Sequence, residues 1–216
     1  MKKTLLTGGL LLGFFTLLPA AHADSLEEDF VNQLSRCDRS LFEFIRKNRE
    51  ALQDYAPVEN RGRVARFRLT DEEEGRQIVN FKKPMVVNGI RYTGFFQSYL
   101  ELPLSDGPNG TLKAYYWGLA ADSNIDAATI AASLPQQNFK RAGEGFMANP
   151  QLISDVRRSL KWQHNSMASD GTAPAENTVE RVLYITPRKS KKTHELNCTI
   201  QGYIPAALAK TILPAW

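Results

Sequence analysis

Cys37 and Cys198 are the only cysteines in the 216-residue chain, and His22, His164 and His194 are the only histidines. No H-x-x-x-H, H-E-x-x-H or C-x-x-C spacing joins them, so neither a zinc site nor a thiol-redox motif has its ligand pattern. G-x-S-x-G, G-x-x-x-x-G-K and the dinucleotide fingerprint do not occur, and Gly143-Glu144-Gly145 is a weak signal on its own. His194 and Glu195 could be written as an acid–base pair. Neighbours in a strand point to opposite faces, however, so the two do not converge, and His194 reads as an exposed residue. His164 reads as a residue near a helix C-terminus, where the dipole favours it. Paired carboxylates for glycan hydrolysis come from distant positions, and nothing local nominates a pair. No catalytic residue, metal ligand or cofactor is assigned.

The cysteines have a better use. Leu26, Phe30, Leu34, Cys37, Leu41, Ile45 and Leu52 recur at helical spacing, which puts Cys37 on an apolar helix face. Leu196, Cys198 and Ile200 alternate with Asn197 and Thr199, which puts Cys198 on the inward face of a strand. In an oxidising compartment such a pair is expected to form a disulfide. It would close a loop of about 160 residues and tie the first helix to the last strand.

The N-terminus supplies that compartment. Lys2 and Lys3 precede an apolar run from Leu5 to Leu18, Pro19 ends it, and Ala21-His22-Ala23 offers small residues for cleavage. This is the layout of a secretory signal peptide, residues 1–23, cut after Ala23. The expected product is a periplasmic or secreted bacterial protein, residues 24–216, with no further segment apolar enough to span a bilayer. The leader carries two of the lysines and no acid, so half of the +4 formal charge leaves with it. The basic balance is then no argument for nucleic acid.

Two kinds of side chain suggest binding. Arg188, Lys189, Lys191 and Lys192 crowd one hairpin tip, and Arg61, Arg63, Arg66 and Arg68 crowd one strand. Such runs suit an anionic partner or simply a solvated edge. Tyr92, Phe95, Phe96, Tyr99, Tyr115, Tyr116 and Trp117 fall on two neighbouring strands. Phe95, Tyr99, Tyr115 and Trp117 share one parity, and Phe96 and Tyr116 share the other, so one aromatic face is covered or offered to a partner. Tyr92, Phe95, Tyr99, Tyr115 and Trp117 are the candidate partner contacts, with the basic tip beside them.

The elements that must position these residues follow from local signals. Ser25 with Glu28 is a capping box opening a helix to about Gln53. Residues 54–60 read as a loop, Arg63 to Leu69 as a half-buried strand, and Asp71 to Gly75 as an acidic turn. Asn88-Gly89 between apolar runs specifies a two-residue hairpin. The strand after it reaches about Leu102, Ser105 to Gly110 is a wider turn, and Thr111 to Ala120 returns. A helix of about Ile125 to Leu134 starts near Ser123 and Asp126. Asn149-Pro150 reads as a cap before a helix to about Gln163, and residues 165–178 as a polar loop. Val179 to Thr186 and Glu195 to Ile204 pair as a hairpin, and Pro205 starts a closing helix.

Strands in hairpins rather than alternating with helices indicate α+β. The expectation is an antiparallel sheet of hairpins and meander with helices packed on one face, in one disulfide-stapled domain. The function expected is non-catalytic binding outside the cytoplasm: an inhibitor, an immunity factor or an envelope-assembly partner, acting on another envelope protein. The alternatives are an envelope hydrolase with dispersed carboxylates and a module for anionic lipid or lipopolysaccharide.

Overall fold

A computed structural model describes residues 25–103, 111–168 and 174–212. The leader with its cleavage point, the turn at 105–110 and residues 169–173 of the polar loop lie outside the described residues.

The Ser25 cap forms, its hydroxyl oxygen accepting the Glu28 N–H at 3.2 Å. It opens α1 (Leu26–Leu34). The single helix expected to Gln53 is instead broken. Cys37 takes φ of +52°, a left-handed conformation that a right-handed helix cannot continue through. Asp38 Oδ1 then accepts the Ser40 N–H at 2.8 Å, and the chain restarts as α2 (Ser40–Lys47) and α3 (Arg49–Leu52). The apolar period runs through the break because both sides pack into one core: Phe30 and Leu34 of α1 and Leu41, Phe42 and Ile45 of α2 are all fully buried.

β1 (Val58–Arg61) and β2 (Val64–Phe67) form a separate antiparallel pair. Only the second is legible in the sequence, since residues 58–61 read as loop after Pro57.

Among the described residues the main sheet has nine antiparallel strands. Its order begins with β3 (Asp71–Glu73), β4 (Arg76–Val87), β5 (Ile90–Pro103) and β6 (Thr111–Ala121). It continues with β11 (Thr193–Gly202), β10 (Val179–Arg188), β8 (Gly145–Ile153) and β7 (Lys140–Ala142), while β9 (Gln163–His164) pairs with β8. Asn88 and Gly89 turn the β4–β5 hairpin at φ of +49° and +81°, as the dipeptide requires. The acidic run is not only a turn: Asp71 to Glu73 are strand, and Glu74-Gly75 make the bend.

The helix expected from Pro150 to Gln163 is absent. That region is β8, a turn and β9, and His164 lies exposed in a strand rather than at a helix end. Asn149 has φ of +50° and sits where the β8–β10 register shifts, so Asn-Pro here marks an irregularity in a strand and not a cap. Asp126, not Ser123, caps α4 (Ala127–Ser133), accepting the Thr129 N–H at 2.7 Å. α5 (Ala206–Ile212) follows Pro205.

One face of the sheet carries the core. Phe95, Trp117, Leu119, Leu183, Ile185, Leu196, Cys198 and Ile200 pack there with α1, α2 and the later helices. Cys37 and Cys198 form the disulfide, with Cα atoms 5.1 Å apart. A core disulfide fits an oxidising, extracytoplasmic compartment, and no described helix is long and apolar enough to cross a membrane.

Candidate binding face

Register assigns every side chain to a face, because residues directly opposite in an antiparallel pair share one. Phe95 pairs Leu119, Gln97 pairs Trp117, and Tyr99 pairs Tyr115, so these belong to the helix side. Phe96 pairs Gly118, Ser98 pairs Tyr116, Leu100 pairs Ala114 and Leu102 pairs Leu112, which assigns them to the open side. On β11, Glu195, Asn197, Thr199 and Gln201 join that open side through Ala120, Gly118, Tyr116 and Ala114.

The aromatic candidates therefore separate. Tyr92, Phe95 and Trp117 are fully buried. Trp117 meets Phe42 edge-on at 5.9 Å, and Phe95 meets Phe67 at 5.5 Å. These three hold the core and present no surface to a partner. Tyr99 stays exposed and Tyr115 half-buried, their rings 4.7 Å apart on the helix side.

The basic tip is not a bare cationic patch. Arg188 is largely buried, with Nη2 2.7 Å from Glu73 Oε2 and 3.5 Å from Glu74 Oε2. Lys191 meets Glu73 at 3.2 Å, and Lys189 meets Glu144 at 2.9 Å. Lys192 turns the hairpin at φ of +52°. Arg61 and Arg66 likewise share the Glu59 carboxylate at 2.8 and 2.7 Å. The acidic run at 71–74 and the basic tip at 188–192 complement one another, a signal visible in the sequence only once the two are known to meet. His194, read as exposed, is half-buried and donates from Nδ1 to the Ile125 carbonyl at 2.9 Å.

The open face holds a trough of about 410 Å³. Along one wall run Leu100 and Leu102, 44% and 43% exposed. The floor is the outward row of β11, where Asn197 and Thr199 are buried and Asn197 Nδ2 donates to Thr186 Oγ1 at 2.9 Å. Tyr116 and Tyr184 stand half-buried beside it. On the neighbouring strand β6 Gly118 is required, because a Cβ there would lie 2.3 Å from the Leu196 carbonyl oxygen.

An ion pair fences one end. Arg76 crosses the Phe96 ring at 5.0 Å and donates from Nη1 to both oxygens of Glu195, at 2.7 and 2.5 Å. Glu195 is only 2% exposed. Burial pushes its carboxyl above the usual range, and Arg76 and then Arg188 oppose that. Glu73 is held below its usual range by hydrogen bonds from Arg188 and Lys191. Both carboxylates border an adjoining cavity of about 280 Å³. Arg188 bonds to Glu73 and lies 3.9 Å from Glu195, so a guanidinium links the two acids. That arrangement ties two hairpin tips together.

Arg76, Glu195, Leu100, Leu102 and Tyr184 were not nominated by sequence reasoning. The L-x-L alternation at Leu100 and Leu102, in phase with Phe96, is the one local signal for them. Among the described residues no group of three or more His, Cys, Asp or Glu side chains is placed to hold a metal ion.

The chain was compared with family models, curated proteins and solved structures, and no match was found in any of the three.

Proposed function

We propose that this chain is an exported, non-catalytic binding protein that holds an extended segment of another envelope protein in the open-face trough. The leader layout at residues 1–23 and the core disulfide support the compartment. The observation that carries the binding reading is the pair Leu100 and Leu102, exposed beside Tyr116 and Tyr184 over a floor of Asn197, Thr199 and Gln201. Apolar anchors next to hydrogen-bonding groups are the anatomy of a protein interface. A strand-like segment would put apolar side chains on the leucines and backbone polar groups on the floor.

An acyl chain fits less well, since it offers the polar floor no hydrogen-bonding partner. In the lipid alternative the basic tip would meet anionic head groups, yet Arg188, Lys189 and Lys191 are paired with Glu73, Glu74 and Glu144.

The test is affinity capture from envelope extract with residues 24–216, followed by the same capture with Leu100→Arg and Leu102→Arg. The expected result is one protein lost by about tenfold or more in either variant, with thermal midpoints within about 2 °C of the parent. Unchanged capture by both variants contradicts the reading.

The hydrolase alternative rests on one observation, the buried Glu195 carboxyl pushed up beside a cavity. It requires cell-wall glycan or peptide to be cleaved by the purified chain and spared by Glu195→Gln.

A further inference from the structure

A second site lies on the helix side of the sheet and shares no lining residue with the trough. A cleft of about 460 Å³ opens where the end of α1, the Cys37–Asp38 break, the turn at Pro135–Gln137 and strands β8 and β10 meet. Almost every side chain around it donates or accepts hydrogen bonds.

Arg181 is its centre. The side chain is only 17% exposed, and its guanidinium lies 4.5 Å from the Trp162 ring centre. Gln151 Oε1 accepts from Nε at 2.9 Å and from Nη2 at 2.5 Å. The nearest carboxylate, Asp38 Oδ2, is 3.9 Å from Nη1. A charge-assisted hydrogen bond between such groups is about 2.7–2.9 Å, so Asp38 does not complete the pairing. Its other oxygen is engaged by the Ser40 N–H. Burial accordingly lowers the Arg181 pKa, with Asp38 opposing.

The exposed Arg36 lines the same cleft. Two guanidiniums and one carboxylate thus line the cleft, and Arg36 Nη1 also donates to Gln33 Oε1 at 3.3 Å. Opposite them, Asn149 Nδ2 donates to Gln137 Oε1 at 2.7 Å, which fixes both amides in place before any ligand arrives. The cleft is far larger than a bare inorganic anion needs, and beside Ser35 and the disulfide cysteine Cys37 its remaining lining is four amides: Asn32, Gln137, Asn149 and Gln151. Amides pair with hydroxyl groups as both donor and acceptor.

We propose that this cleft binds a small ligand carrying a carboxylate and several hydroxyl groups. The carboxylate meets Arg181 and Arg36, and the hydroxyls meet the amides of Asn32, Gln137 and Asn149.

Calorimetric titration of residues 24–216 with glucuronate, glucose, acetate and inorganic phosphate separates the parts of this chemistry. Glucuronate is expected to bind saturably and at least about tenfold more tightly than each of the other three. Arg181→Gln is expected to weaken glucuronate by about tenfold or more. Should that variant fail to fold by circular dichroism, the exposed Arg36→Ala supplies the same test, with an expected loss of about threefold or more. The proposal is overturned by no glucuronate binding, by glucuronate no tighter than acetate or phosphate, or by affinity that both variants leave intact.

Discussion

Arg76 and Glu195 lie at or near the start of strands separated by two others in the sheet, yet the guanidinium lies 2.5 Å from the carboxylate. Neighbouring strands are about 4.8 Å apart, so the side chains must cross the open face to meet. They do so over Phe96 on β5 and beside the small residues Gly118 and Ala120 on β6, which leave the path clear. The contact joins the β3–β4 tip to the β10–β11 tip and closes one end of the trough.

Removing one partner should be costly. Arg76→Met leaves Glu195 buried with Arg188 at 3.9 Å as its nearest remaining cation. Breaking a buried pair costs about 3–5 kcal/mol, and partial exposure of Arg76 puts this case near the lower value. Urea unfolding should show a loss of about 3 kcal/mol in Arg76→Met and recovery to within about 1 kcal/mol in Arg76→Met/Glu195→Met. Equal destabilisation in both would show that the pair does not act as a unit.

Acid stability should carry two opposite signs. Asp155 is held down to about 2 by its hydrogen bonds with Arg157, and Glu73 is held down by Arg188 and Lys191. Lowered acids contribute stability above their unfolded values and lose it as pH falls, so the chain should weaken as pH drops from the ordinary carboxylate range toward 2. Glu195 is raised, so its native form holds a proton that the unfolded chain releases earlier. The stability difference between parent and Glu195→Gln should therefore shrink as pH rises above 4.5 and then level off. A difference that stays constant across this range would contradict a carboxyl whose burial outweighs its pairing with Arg76 and Arg188.

The disulfide spans 161 residues. Chain entropy sets its ideal contribution at about 5 kcal/mol, and native bridges give about 2–5. Cys37→Ser/Cys198→Ser should lower stability by about 3 kcal/mol or more in urea, and the unreduced, unfolded parent should show no free thiol.

What the sequence made legible was local or parity-bound. Asn88-Gly89 adopts its hairpin because both positive φ values are intrinsic to the dipeptide. The disulfide is half readable: strand parity points Cys198 inward, whereas Cys37 is buried at the break after α1 and not on the helix face that the apolar period predicts. Asn149-Pro150 misleads for a physical reason: Asn before Pro suits a helix cap, but Asn also tolerates positive φ, and pairing of β8 with β10 selects that use. The break at Cys37 is silent, since no glycine or proline announces it and the apolar period continues across it. The trough is half legible. Parity separates Phe96 and Tyr116 from Phe95 and Trp117, but which face the helices cover depends on strand order. Arg76 and Glu195 are 119 residues apart, and nothing near either one announces the other.

The binding face is tested most directly by site-specific photo-crosslinking in living cells. A photoreactive residue at Leu100, inside the trough, is compared with one at Leu160, an equally exposed leucine outside it. The expected result is a discrete protein adduct from Leu100 that is absent from Leu160. No protein adduct from Leu100, or the same adducts from both positions, would contradict a partner held on the open face.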